Sequence, residues 1–156
     1  MQGRVYTVLF SAVAVSAAQD LFELIPADDK PIELVGMKLG QTSDAGDAAD
    51  ELLQLSIIRG FTASGTGGNA ATPQPLCHAD APAGFTAEVN NTTVATTGTT
   101  GTLHTDTWNV RAGYEMWWPE GMRPTAGQGN TSIVVRQTAP ADALTMSGTL
   151  YVREIV

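Results

Sequence analysis

Cys77 and His78 are the adjacent residues whose chemical types come closest to a catalytic pair. A thiolate beside an imidazole can act as a nucleophile activated by a base. Neighbouring side chains on an extended chain point in opposite directions, however, so these two cannot form a hydrogen-bonded dyad locally. His78 and Asp80 could share a face, but two ligands do not make a zinc site. We therefore predict a non-enzyme with no catalytic residue, metal ligand or cofactor, and we interpret His104 as structural.

One acidic cluster lies in the polar, glycine-containing segment 41–51. Its members are Asp44, Asp47, Asp50 and Glu51. Carboxylates in such a loop could hold Ca²⁺, but their spacing does not match the EF-hand loop. The sequence therefore favours a solvated acidic loop, with a bound cation as the alternative.

Trp117-Trp118-Pro119 is the most unusual string in the chain. Consecutive residues of a strand face opposite ways, so only one of the two tryptophans is expected to reach the domain's own core. Aromatic residues often anchor interfaces. Together with Tyr114, the tryptophans indicate a subunit contact or a sugar-stacking platform. The alternative is a tryptophan buried under a loop.

The elements that must position these residues are short strands. Apolar and polar residues alternate best over 144–156, and Gly, Pro, Asn and Asp punctuate the chain at regular intervals. We predict an all-β, single-domain β-sandwich over 1–156, jelly-roll-like, with eight to ten short strands. It has an N-terminal arm or strand (1–15) and a long irregular loop (61–84). Both chain ends are strand-like and are expected to lie side by side in one sheet.

The apolar run 5–15 has a second interpretation. Followed by Ser16-Ala17-Ala18, it also matches the apolar segment and cleavage site of a signal peptide. Only Arg4 supplies positive charge before it, and Tyr6 and Ser11 interrupt it. These features favour a strand.

Composition restricts the classes of partner. The formal net charge is −8 and the pI is near 4.5, and the arginines and lysines are scattered along the chain. Nucleic-acid binding needs clustered positive charge, and an acidic surface is repelled by anionic membranes. We therefore expect neither nucleic acid nor membrane as a partner. Cys77 is the only cysteine, so no intrachain disulfide can form.

Several strings together resemble a group of small structural proteins encoded by tailed bacteriophages. They are AAQDLFEL (17–24), LGQTSD (39–44), GDAADE (46–51), GFTAEVNNT (84–92) and MSGTLYV (146–152). The resemblance spans nearly the whole chain, and the family has no catalytic motif. It implies a viral structural protein, of a type that often serves as a head decoration (cement) protein, with a β-rich fold and trimeric assembly.

The resemblance also implies a location and partners. The chain would bind the major capsid protein at junctions between capsid subunits, associate with itself as a homotrimer, and lie on the virion surface after synthesis in the bacterial cytoplasm. From their irregularity and apolar content, we expect the contacts to come from Met1, Gln2, Gly3 and Arg4, from Tyr114, Trp117 and Trp118, and from the long loop 61–84. The main alternative is a tail-associated or receptor-binding jelly-roll module that binds carbohydrate through the same tryptophans.

Overall fold

The computed structural model describes residues 3–43, 50–127 and 131–155, and within these ranges the chain forms twelve β-strands and no helix. The strands are β1 (Gly3–Val15), β2 (Gln19–Ile25), β3 (Ile32–Gln41), β4 (Leu52–Phe61), β5 (Asn69–Ala71), β6 (Gln74–Pro75), β7 (Thr86–Asn91), β8 (Gly101–Asn109), β9 (Tyr114–Trp117), β10 (Thr125–Ala126), β11 (Ser132–Gln137) and β12 (Leu144–Ile155). Among the described residues, no helix is long and apolar enough to cross a membrane.

The strands form two antiparallel sheets that pack face to face, which confirms the predicted all-β sandwich. Sheet A has the order β10-β3-β12-β1-β6, with β9 also pairing with β3. Sheet B has the order β5-β7-β2-β11-β4-β8. The strands β1 to β4 alternate between the sheets, and so do β8, β9, β11 and β12. This alternation produces the two Greek keys of a jelly roll.

The strand count exceeds the predicted eight to ten because of short strands. β6 and β10 have two residues each and β5 has three, too few for an alternation pattern to be visible in the sequence. β5 and β6 both lie inside 61–84, the segment predicted as one long irregular loop. They are strands only because they pair with β7 and β1, respectively.

The first and last strands lie side by side in sheet A, as predicted. β1 and β12 pair along their lengths, from Gly3 opposite Ile155 to Val15 opposite Leu144. Inner and outer positions alternate without interruption along β12. This pattern follows from the pleat of a strand with one face in the core.

The core fills the space between the two sheets. Apolar side chains from the inner faces pack there, with Tyr6 edge-on against Phe85 and Phe10 tilted against Phe22. Removal of this apolar surface from water is the main term stabilising the sandwich.

A second, smaller layer covers the outer side of sheet B. It consists of residues 62–68 and 91–97, which meet through bridges between Ala63 and Thr96 and between Thr66 and Thr93. Ala95 of this layer forms a separate apolar cluster with Phe61 and Val134 of sheet B. We call these two segments the outer cover.

Candidate interaction surface

The two adjacent tryptophans lie on opposite sides of sheet A, as strand alternation predicts. Trp118 is 8% exposed and packs edge-on against His104, with ring centroids 5.6 Å apart. Its backbone N–H donates to the carbonyl of Val35 at 3.0 Å. Trp117 is 46% exposed. One indole therefore belongs to the core and the other to the surface.

Trp117 is held in place by the strands beside it. In register, Trp117 of β9 lies opposite Gly36 of β3, and Gly36 lies opposite Tyr151 of β12. Because Gly36 has no side chain, the indole lies across it and reaches Tyr151, with ring centroids 4.9 Å apart. The indole N–H donates to Glu115 Oε1 at 2.5 Å. The ring is thus fixed on three sides while nearly half of its surface is exposed.

Charged residues flank the indole. Lys38 Nζ lies 3.4 Å from Glu115 Oε2. The hydrogen bond from Trp117 is the main cause of a lowered pKa at Glu115, and the charge of Lys38 acts in the same direction. Trp117, Tyr151, Lys38 and Glu115 form one contiguous outer surface, which we call the Trp117 platform.

A shallow concavity of about 440 Å³ adjoins the Trp117 platform. Its lining includes Leu9, Ser11, Lys38, Gly40, Ser147 and Thr149. A bulge in β1 shapes one side, where Ala12 has φ +53° and its N–H donates to Ser147 Oγ at 2.9 Å. The concavity offers hydroxyl groups and an ammonium group next to an aromatic surface, which suits binding by stacking and hydrogen bonds.

A network of arginines and glutamates lies at the other end of the same face. Glu33 Oε1 accepts from Arg123 Nη1 at 2.8 Å and is also paired with Arg153. Arg153 reaches Glu120 at 3.3 Å, and Arg123 Nε donates to the carbonyl of Trp118 at 3.3 Å. The network ties the turn after β9 to the sheet and so supports the position of Trp117.

Unlike Trp117, the predicted contact residues Tyr114 and Trp118 are buried. Tyr114 is buried in the core, and its hydroxyl donates to Asp106 Oδ2 at 3.1 Å. Burial, followed by the charge of Asp106, raises the Tyr114 pKa well above its ordinary value. Tyr114 and Trp118 are therefore buried in the core of the single chain, and of the three predicted aromatic contact residues Trp117 is the exposed one. The cause is strand alternation, which turns both of them inward on either side of the Glu115–Trp117 pair.

The N-terminal contact residues are only partly described. Gly3 and Arg4 belong to β1 and pair with β12 rather than forming a separate arm. Arg4 Nε lies 3.9 Å from Asp80 Oδ1. Met1 and Gln2 lie outside the described residues.

The residues considered for catalysis or metal binding in segment 77–80 lie in an exposed turn. Cys77 and His78 are both exposed, in a turn closed by the Asp80 N–H donating to the Cys77 carbonyl at 2.9 Å. Within the ranges that the structure describes, no group of three or more His, Cys, Asp or Glu side chains could hold a metal ion.

The acidic cluster is only half described. Asp50 pairs with Arg111 at 3.2 Å, and Glu51 accepts a hydrogen bond from the Ala141 N–H. Asp44 and Asp47 lie outside the described residues.

Sequence reasoning missed a buried polar cluster under the outer cover. Asp20 of β2 is fully buried and receives two bonds from Arg136, Nε to Oδ1 at 2.6 Å and Nη2 to Oδ2 at 3.1 Å. The Ala95 N–H also donates to Asp20 Oδ2 at 2.7 Å. Arg136 in turn lies over the ring of Phe61 at 4.9 Å. The available signal was the presence of Gln19, Asp20 and Glu23 in a strand whose other residues are apolar.

Comparison with known proteins gives little similarity. No protein-family model matches the chain, and no curated protein matches it. Among solved structures, the chain aligns with a chain of the T13 IBDV viral particle at 13% identity and a TM-score of 0.18. That alignment covers 99% of this chain and 40% of the viral chain, so this chain spans less than half of the viral chain's length. A TM-score of this size does not indicate a shared fold.

Proposed function

We propose that this chain is a viral structural protein that decorates and stabilises a bacteriophage capsid by binding at junctions between capsid subunits. The observation that carries the proposal is the fixed, half-exposed indole of Trp117 on the outer face of sheet A. Tryptophan is enriched among the residues that dominate binding energy at protein interfaces. An anchor that is already held in its binding position loses little side-chain entropy when the partner arrives.

The rest of the fold supports a mechanical role. A jelly roll is an architecture shared by viral capsid proteins and lectins, so the fold alone does not choose between them. The strings that resemble small phage structural proteins favour the viral function. The pairing of β1 with β12 joins the chain ends within one sheet, which suits a protein that must hold its shape on a particle surface.

Self-association as a homotrimer is the second part of the proposal. Among the described residues, no strand pairs with the outer edge of β8, a nine-residue strand at the margin of sheet B. Leu103 on that strand and Met122, which is 72% exposed, line a common depression beside Arg59 and Arg123. An open strand edge next to exposed apolar side chains is a surface that another chain can cover. A head-to-tail contact of this kind closes into a ring when the rotation permits.

A binding assay on capsids tests the proposal. The wild-type chain, Trp117→Ala and Leu52→Ala are each sedimented with capsids of a tailed bacteriophage that encodes the chain. Leu52 is the matched control because it is a large, exposed apolar residue on sheet B. We expect Trp117→Ala to weaken binding at least about tenfold, as loss of an interface anchor does, and Leu52→Ala to bind like the wild type. Equal binding by all three chains would show that the Trp117 platform does not contact the capsid.

One observation favours a second function, carbohydrate binding by a tail-associated or receptor-binding module. The concavity lined by Ser11, Lys38, Ser147 and Thr149 adjoins the Trp117 platform, and sugars bind where an aromatic face meets hydrogen-bonding groups. A glycan array probed with the wild type and with Trp117→Ala separates the two functions. Saturable glycan binding that Trp117→Ala abolishes, without capsid binding, would favour the carbohydrate module.

A further inference from the structure

Two buried carboxylates on β2 lie under the outer cover, and only one of them has a cationic partner. Asp20 is neutralised by Arg136 through two bonds. Glu23 is three residues further along the strand and is 1% exposed. Among the described residues, no lysine or arginine forms an ion pair with Glu23. Within the part of the chain that the structure describes, Asp20 thus has a cationic partner, whereas Glu23 has none.

One oxygen of Glu23 is fully occupied and the other is not. Oε2 accepts from the Gly65 N–H at 2.9 Å and from Asn91 Nδ2 at 2.8 Å. Oε1 is buried and has no hydrogen-bond partner among the described residues. A buried carboxylate oxygen without a partner is costly, so a compensating positive charge there would stabilise the fold.

A second carboxylate lies beside it and increases the negative charge. Glu88 of β7 is directly opposite Glu23 in the ladder between β2 and β7. Its Oε2 accepts from the same Asn91 Nδ2 at 2.8 Å and from Ser64 Oγ at 3.4 Å. Like charges directly opposite each other destabilise a sheet. A cation between the two carboxylates would convert this repulsion into attraction.

A small cavity adjoins this pair. It has a volume of about 290 Å³ and is lined by Glu23, Glu88 and Ser64 together with Ile25, Ala70, Thr86 and Ala87. We propose that Glu23 and Glu88, assisted by the hydroxyl of Ser64, bind a hard divalent cation. The donors are all oxygens, which is the ligand type that Ca²⁺ and Mg²⁺ prefer, and the cavity has room for the waters that would complete the coordination.

The cation would link two strands of sheet B to the outer cover. Glu23 belongs to a central strand of sheet B, Glu88 to the strand beside it, and Ser64 to the outer cover. Binding would therefore fasten the outer cover to the sheet. This site is on sheet B and the Trp117 platform is on sheet A, so variants of the two can be tested separately.

Metal analysis and thermal melting test the site in the full chain. Protein stripped with EDTA is incubated with CaCl₂ or MgCl₂. One portion is desalted and assayed for bound metal by elemental analysis, and the melting temperature of a second portion is measured with the salt still present. We expect one Ca²⁺ or Mg²⁺ per chain. At about a hundredfold excess over the dissociation constant, the melting temperature should rise by roughly 5–10 °C.

Variants separate this site from the acidic segment 44–51. Glu23→Gln keeps the size of the side chain and should abolish both the bound metal and the melting response. In EDTA it should melt no lower than the stripped wild type, because it removes an uncompensated charge. Asp47→Asn, the control in the acidic segment, should bind and melt like the wild type. Absence of metal from the wild type with equal melting in both buffers, or undiminished binding by Glu23→Gln, would overturn the proposal.

Discussion

The indole of Trp117 lies across Gly36, a residue on the neighbouring strand that has no side chain to keep it away. A Cβ at position 36 would overlap the six-membered ring of the indole. Beyond Gly36, the ring meets Tyr151, 4.9 Å away between centroids. The orientation of the exposed indole is therefore set by a residue that the indole itself covers.

Gly36→Ala should reduce capsid binding as strongly as Trp117→Ala, because the added methyl group displaces the indole. Gly113→Ala is the control, since a Cβ there meets only the carbonyl oxygen of Leu39, at an ordinary contact distance of 3.6 Å. Co-sedimentation measures binding, and circular dichroism checks that both variants keep their strands. Full binding by Gly36→Ala would show that the observed orientation of Trp117 is not required.

Trp118→Ala and Trp117→Ala should differ sharply in stability. Removing the buried indole of Trp118 leaves a cavity next to His104 and should lower the free energy of unfolding by about 3–5 kcal/mol. Removing the half-exposed Trp117 should cost about 1 kcal/mol. Urea denaturation measures both values. Similar losses for the two variants would contradict the division into core and surface indoles.

Arg136→Met should destabilise the chain by about 3 kcal/mol, because it leaves Asp20 buried without its cation. Lys38→Met breaks the exposed pair with Glu115 and should change the free energy of unfolding by less than about 1 kcal/mol. The same denaturation experiment tests both. Equal effects would mean that the Asp20–Arg136 pair contributes no more than a surface pair.

Tyr114 should make the fold sensitive to alkali. Burial and the neighbouring Asp106 raise its pKa above the ordinary value of 10.0, so the folded state keeps a proton that the unfolded state releases. The stabilising contribution is therefore complete below pH 10 and declines as the pH rises above it.

The alkaline sensitivity can be measured by comparing urea midpoints at about pH 9 and about pH 11. Tyr114→Phe should be less stable near neutral pH, because it loses the hydrogen bond to Asp106, but its midpoint should decline less between the two conditions. An equally steep decline in Tyr114→Phe would assign the alkaline sensitivity to other groups.

Much of the fold could be predicted from local patterns. The alternation over β12 and the strand-like character of both chain ends specify long strands with one buried face, and adjacent Trp117 and Trp118 must face opposite ways on any strand. These features depend only on the period of the strand, so the sequence contains them directly.

The details of the surfaces depend on register between distant strands. That Gly36 lies between Trp117 and Tyr151, or that Glu23 lies opposite Glu88, follows from pairings that join widely separated segments. Local patterns do not encode such pairings. The short strands β5, β6 and β10 likewise exist only through such pairings, and they have too few residues to show an alternation pattern.

The copy number of this chain in purified virions tests the central claim most directly. Quantitative mass spectrometry of particles of a phage that encodes the chain gives its ratio to the major capsid protein. A capsid-decorating function predicts a copy number comparable to that of the capsid subunits or of their symmetric junctions. Absence of the chain from the particle, or only the few copies expected of a tail tip, would contradict capsid decoration.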